Sequence, residues 1–162
     1  MNSCIWYVSK YAALPSKGSA GTRSFMLMRE LSKLGYQSVL ITSDSNQLAD
    51  VPELRSAYQV QILDGVQVHW VRTLKYKVAK SAKRILSWLH FEWRLLLMPK
   101  ASLPRPDVVV VSSLSLLTIL NGLLWRRKYK CRLIFEIRDI WPLTIVEEGG
   151  FSKSNIFVFN IF

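Results

Sequence analysis

A chain of 162 residues is long enough for one domain with a packed core, and with half its residues apolar and a fifth charged it is excluded from the disordered, weakly hydrophobic class. Twenty-two lysines and arginines against eleven acidic residues leave a net charge of +11, so the partner expected is polyanionic: nucleic acid, acidic lipid or a phosphate-bearing substrate. Cys4 and Cys131 both lie in strand-like runs, against a disulfide framework or zinc site, and no basic n-region precedes the first apolar stretch, so cytoplasmic residence is the expectation.

Cys4 to Val8 reads as a first strand, followed by a loop from Ser9 to Gly21 that holds Pro15, Lys17, Gly18 and Gly21. Glycines there let backbone amides approach an anion, the helix that follows aims its positive end at the same place, and Lys17, Thr22 and Arg23 add donors. The run from Lys17 to Arg23 matches neither the dinucleotide fingerprint nor a P-loop, so ordinary turn glycines are the competing reading. A helix is expected from Thr22 to Leu34, with Leu27, Leu31 and Leu34 on one stripe, Phe25 and Met28 beside it, and Gly35 as the stop.

Ser38 to Thr42 makes a second strand, and Asp44 after it stands where nucleotide-binding folds hold a ribose. Val66 to Val71 follows the Asp64-Gly65 turn as a third, with Gln61 to Leu63 as a hairpin partner. Aromatics and cations interleave in His69-Trp70-Val71-Arg72 and Tyr76-Lys77, as in nucleic-acid modules. Trp70 shares a strand face with Val66 and Val68, however, which implies burial rather than a stacking platform. His69 and His90 lack carboxylates or cysteines at ligand spacing, so no metal is expected.

Between Val78 and Met98 the residues Val78, Ala82, Ile85, Leu86, Leu89, Trp93, Leu96 and Leu97 recur as an apolar helical face, widened by Trp88 and Phe91. Lys80, Lys83, Arg84, Ser87 and Arg94 lie largely opposite. Such a helix either packs on a core with a solvated basic face or lies in an anionic headgroup plane, where each cation contributes about 1 kcal/mol. Lys80, Lys83, Arg84 and Trp88 are the membrane contacts this second reading names.

The uncharged run from Val108 to Trp125, followed by Arg126, Arg127, Lys128 and Lys130, also has the outline of a membrane span, for which about 18 residues is the threshold. The β-branched block at Val108 to Val111, the serines Ser112, Ser113 and Ser115, and leucines at helical spacing from Leu116 to Leu124 favour a buried strand, a turn and a packed helix. From Leu133 an apolar strand runs to the Arg138-Asp139 pair, before Trp141 and Pro142 break it. A charged pair at the carboxyl end of a buried strand is well sited for a ligand, or else closes a loop as a structural ion pair. Strands alternating with amphipathic helices imply an α/β fold, a Rossmann-like open parallel sheet covered by helices on both faces.

The segments Ile5-Trp6-Tyr7-Val8-Ser9-Lys10-Tyr11-Ala12, Gly21-Thr22-Arg23, Ser81 to Trp88, and Glu136-Ile137-Arg138-Asp139-Ile140-Trp141-Pro142 together resemble the family 4 glycosyltransferases of bacterial surface polysaccharide and O-antigen assembly, over nearly the whole chain to about Lys153. The resemblance implies one half of the two-domain GT-B arrangement. Residues 1–150 would form the N-terminal, acceptor-side domain, and the apolar tail 151–162 would lead toward a second, donor-binding domain. It implies retaining transfer of a sugar from a nucleotide-sugar donor to a polyprenyl-diphosphate-linked sugar or glycan acceptor. The enzyme would be peripheral at the anionic inner face of the plasma membrane, with no metal or other cofactor.

By the same resemblance Gly18 and Gly21, with Lys17, Thr22 and Arg23, would border the donor diphosphate, while Arg138 and Asp139 would line the catalytic cleft. Many relatives carry a histidine where this chain has Arg138. The family's two glutamates separated by seven residues belong to the second domain and do not occur here, so this chain alone is expected to be inactive. A small membrane protein spanning at 108–125 and a basic nucleic-acid-binding module are the alternatives.

Overall fold

A computed structural model describes residues 3–16, 21–46, 51–76, 82–101, 103–113 and 117–138. Lys17, Gly18, Lys80, Ser115, Asp139, Trp141, Pro142 and the tail 151–162 lie outside the described residues. The elements in chain order are β1 (Cys4–Val8), α1 (Arg23–Lys33), β2 (Gln37–Ser43), β3 (Tyr58–Leu63), β4 (Val66–Val71), α2 (Ala82–Leu97), β5 (Val108–Ser112), α3 (Thr118–Tyr129) and β6 (Arg132–Glu136). They build a Rossmann-like α/β unit around a six-stranded sheet of order β3-β4-β2-β1-β5-β6. Every pairing is parallel except the β3–β4 hairpin.

Local sequence explains most of these boundaries. The valine-rich runs of β4 and β5 suit a pleated, two-sided burial. The β3–β4 turn places Asp64 at φ 49° and Gly65 at φ 78°, which is why an Asp-Gly pair sits there. At the amino end of the sheet Asp107 locks β1 to β5: its carboxylate accepts the Cys4 N–H at 2.7 Å while its own N–H donates to the Cys4 carbonyl at 2.8 Å.

Two cores follow from strand alternation. Trp6, Val8, Val109 and Val111 face α2 and α3, meeting Phe91, Leu95 and Trp125, with the Trp6 and Trp125 rings edge to face at 5.6 Å. Tyr7, Leu40, Val68 and Trp70 face α1, meeting Phe25 and Met28. Fully burying each such side chain contributes about 1.5–3 kcal/mol.

The helices differ from the sequence expectation in rotation. On α1 the buried residues are Ser24, Phe25 and Met28, while Leu27 and Leu34 are exposed. On α2, Ser87, Phe91 and Leu95 turn inward, whereas Ile85, Leu86, Leu89, Trp93, Leu96 and Leu97 are exposed. On α3, Thr118, Asn121, Gly122 and Trp125 are buried and the leucines 120, 123 and 124 are exposed. For α2 and α3 polar pins contribute to this: Glu92 of α2 accepts the Thr118 hydroxyl at 2.6 Å and the Asn121 amide at 2.8 Å. Gly122 adds a steric reason, since a Cβ there would stand 2.9 Å from Leu133 and 3.1 Å from Val111.

The run 108–125 is therefore divided between β5 and α3, and among the described residues no helix is long and apolar enough to cross a membrane. β6 ends at Glu136, two residues before Arg138, and it is an edge strand rather than a buried one, with Ile134 and Phe135 exposed. Among the described residues it pairs with β5 and is packed by α3.

Replacing Gly122 with valine is expected to lower the unfolding free energy by about 1–3 kcal/mol through overpacking against Leu133 and Val111. An unchanged urea midpoint would show that α3 does not approach the sheet this closely.

Candidate functional site

The chain leaves β1 through α1 toward β2 on one side, while β5 occupies the other side of β1. Connections that diverge in this way open a crevice at the carboxyl ends of the two strands. Tyr7 of β1, Ser113 after β5, Glu136 at the end of β6, Arg138 beyond it and Arg23 at the start of α1 converge there.

Glu136 is the centre of this cluster. It is turned to the same sheet face as Tyr7, whose hydroxyl donates to one carboxylate oxygen, while the Arg23 guanidinium sits 2.6 Å from the other. Burial, followed by the hydrogen bond to Glu136 and the charge of that carboxylate, holds the Tyr7 hydroxyl well above the ordinary phenol range. The side chain of Glu136 is mostly covered, whereas that of Arg23 is 69% exposed, so the guanidinium is anchored from one side and open to solvent on the other. Ser113 binds the end of β6 and the chain beyond it, its N–H donating to the Glu136 carbonyl at 2.9 Å and its hydroxyl accepting the Arg138 N–H at 2.8 Å. This fixes the backbone from which the exposed Arg138 side chain departs.

Of the loop residues singled out in the sequence, Thr22 and Gly21 serve the turn itself. The Thr22 hydroxyl accepts the Ala13 N–H at 3.1 Å and lies 3.2 Å from the Ala13 carbonyl, closing the loop across nine residues. Gly21 has φ +85°, and a Cβ there would lie 3.0 Å from Ala13 and Pro15 backbone atoms, so only glycine fits. The consequence is that Arg23 and the first turn of α1 are presented at the crevice. No acidic residue occupies that turn to neutralise its positive end.

A second polar group lies farther along the same edge. Lys10, 1% exposed, donates from Nζ to the Ser45 carbonyl at 3.3 Å and lies 4.6 Å from the Tyr11 ring centroid. The Tyr11 and Tyr76 hydroxyls are 2.9 Å apart, and the Trp88 indole N–H donates to Tyr11 at 2.6 Å. Arg84 stacks on Trp88. Both are half-buried, so of the residues read as membrane contacts only Lys83 is exposed on α2. Asp44, 1% exposed, accepts the Thr73 N–H at 2.8 Å and is committed to the turn after β4 rather than open to a ribose. His69 is buried, which depresses its imidazole to about 4, and among the described residues no three potential metal ligands cluster.

The structure thus brings Arg23 and Arg138 to one edge, with Gly21 and Thr22 shaping the turn that delivers Arg23 and Ser113 holding the backbone at Arg138. Sequence reasoning missed Glu136 and Tyr7. The available signal was the alternation Arg132, Ile134, Glu136, which puts a carboxylate on the face where Tyr7 points. No protein-family model and no curated protein matches the chain.

Burial, opposed by the nearby Asp44 carboxylate and reinforced by Arg84, pushes Lys10 down from 10.5 to about 8. Between those values the unfolded chain holds a proton that the folded chain has released, so stability rises with pH across that window. The full effect is on the order of 3 kcal/mol. Lys10→Met is expected to flatten this rise in urea titrations between pH 8 and about 9.5, below the range where tyrosines ionise. An identical rise in the variant would assign it to other groups.

Proposed function

We propose that this chain is the acceptor-side half of a retaining glycosyltransferase of cell-surface glycan assembly, taking a sugar from a nucleotide-sugar to a lipid-linked or polysaccharide acceptor. The observation that carries this reading is the Tyr7–Glu136–Arg23 cluster at the carboxyl edge, beside the first turn of α1 and the exposed Arg138. Transfer of a glycosyl group leaves negative charge on a departing phosphate, and positive groups held in advance at that place lower the barrier. Glu136 holds Arg23 so that its free edge faces the crevice, and α1 adds backbone amides with the same polarity.

In this reading Arg23 and Arg138 are the diphosphate contacts. Tyr7 and Glu136 position Arg23, and Gly21 with Thr22 shape the loop. The residue types that grip a nucleotide belong to a facing lobe, and productive transfer requires both reactants in one closed geometry. The net positive charge suits a peripheral position at the inner face of the plasma membrane, where a polyprenyl-diphosphate acceptor resides.

Titration with inorganic pyrophosphate tests the anion site. Amide shifts are expected at 21–24, 113 and 136–138, and Arg23→Ala is expected to weaken binding about tenfold, the scale of one lost charge-assisted contact. Shifts confined to other regions, or an unaffected R23A, would remove the support for this reading. The 162-residue chain alone is expected to show no sugar transfer from any nucleotide-sugar, and measurable turnover would overturn the need for a facing lobe.

A further inference from the structure

The side of α2 and α3 that faces away from the sheet is apolar: Leu89, Trp93 and Leu96 on α2, and Leu120, Leu123 and Leu124 on α3, are each close to half exposed. Monomers ordinarily show apolar patches of about 300–600 Å² at most, and larger ones mark a binding surface. The exposure is built in. Glu92 holds Thr118 and Asn121 inward and Gly122 fits against Val111 and Leu133. Rolling α3 to bury its leucines would strand the Glu92 carboxylate and drive side chains into β5 and β6.

Charge identifies the occupant. Glu92 is the single carboxylate in either helix, and it is engaged by α3. Exposed cations flank the apolar residues, Lys83 at the start of α2 and Arg126, Arg127 and Lys128 in the last turn of α3. A second copy related by a two-fold axis would set these cations against one another, which disfavours self-association. An apolar centre with tryptophan and a cationic margin complements a sheet of acyl chains beneath anionic headgroups.

We propose that the outward face of α2 and α3 docks on an anionic lipid bilayer, with Trp93 and the leucines entering the acyl boundary and Lys83, Arg126, Arg127 and Lys128 meeting headgroup phosphates. The surface differs from the one the α2 sequence pattern names, because Arg84 and Trp88 belong to the interior cluster around Tyr11. Docking is separable from sugar transfer, since vesicle binding is read with no donor or acceptor present.

The test is sedimentation of the full chain with phosphatidylglycerol-containing vesicles and with phosphatidylcholine vesicles, at low and high salt. The chain is expected to pellet with the anionic vesicles, to release at high salt, and to lose binding about tenfold or more in Arg126→Glu/Arg127→Glu. Trp93→Glu/Leu120→Glu is expected to lose binding comparably while its circular dichroism and urea midpoint stay unchanged, because both positions are exposed. A second measurement uses brominated lipid, which is expected to quench a tryptophan emission component that Trp93→Phe removes.

Equal pelleting of the variants, or equal binding to both vesicle types, would overturn the proposal. So would a chain that ignores vesicles, whether it stays monomeric or forms a dimer that Trp93→Glu/Leu120→Glu abolishes, the latter assigning the face to a second copy.

Discussion

The half-buried carboxylate of Glu92 governs how this molecule is assembled. A partly buried carboxylate between two helices must find donors, and Thr118 and Asn121 of the neighbouring helix supply them. That requirement sets the rotation of α3, with Gly122 permitting the close approach, and the rotation in turn decides which residues the protein shows to its surroundings. An apolar helix so constrained buries its polar residues and displays its leucines.

The same logic operates at the carboxyl edge of the sheet. Glu136 is satisfied by Tyr7 from within the sheet and by Arg23 from α1, tying together β1, β6 and the first helix although these are distant in the chain. The turn built by Gly21 and Thr22 delivers Arg23 to that position. A carboxylate that anchors a cation from one side leaves the other side of that cation able to meet an anion, and the proposed function depends on this property.

Strand positions were legible in the sequence because each is a short β-branched or aromatic run between turn residues, and β1 and β4 fall at the residues expected. The Asp64-Gly65 turn and the burial of Trp70 were legible for the same reason. Helix rotation was not. The leucine stripes of α2 and α3 carry the periodic signal normally read as a core face, whereas the inward faces use Ser87, Phe91, Thr118, Asn121 and Gly122, whose placement depends on partners remote in sequence. The edge position of β6 was hidden too, since an exposed strand of leucine, isoleucine and phenylalanine reads like a buried one. At the site, Arg23 and Arg138 stood out as charges near loops, while Glu136 became visible only with the strand order that brings it beside Tyr7.

A double-mutant cycle between Glu92 and Asn121 tests most directly whether this polar pin sets the rotation of α3. Glu92→Ala and Asn121→Ala, alone and together, should show a coupling of about 1 kcal/mol or more in urea unfolding. Additivity within about 0.3 kcal/mol would mean that the two side chains do not meet, and that α3 presents a different face to the sheet.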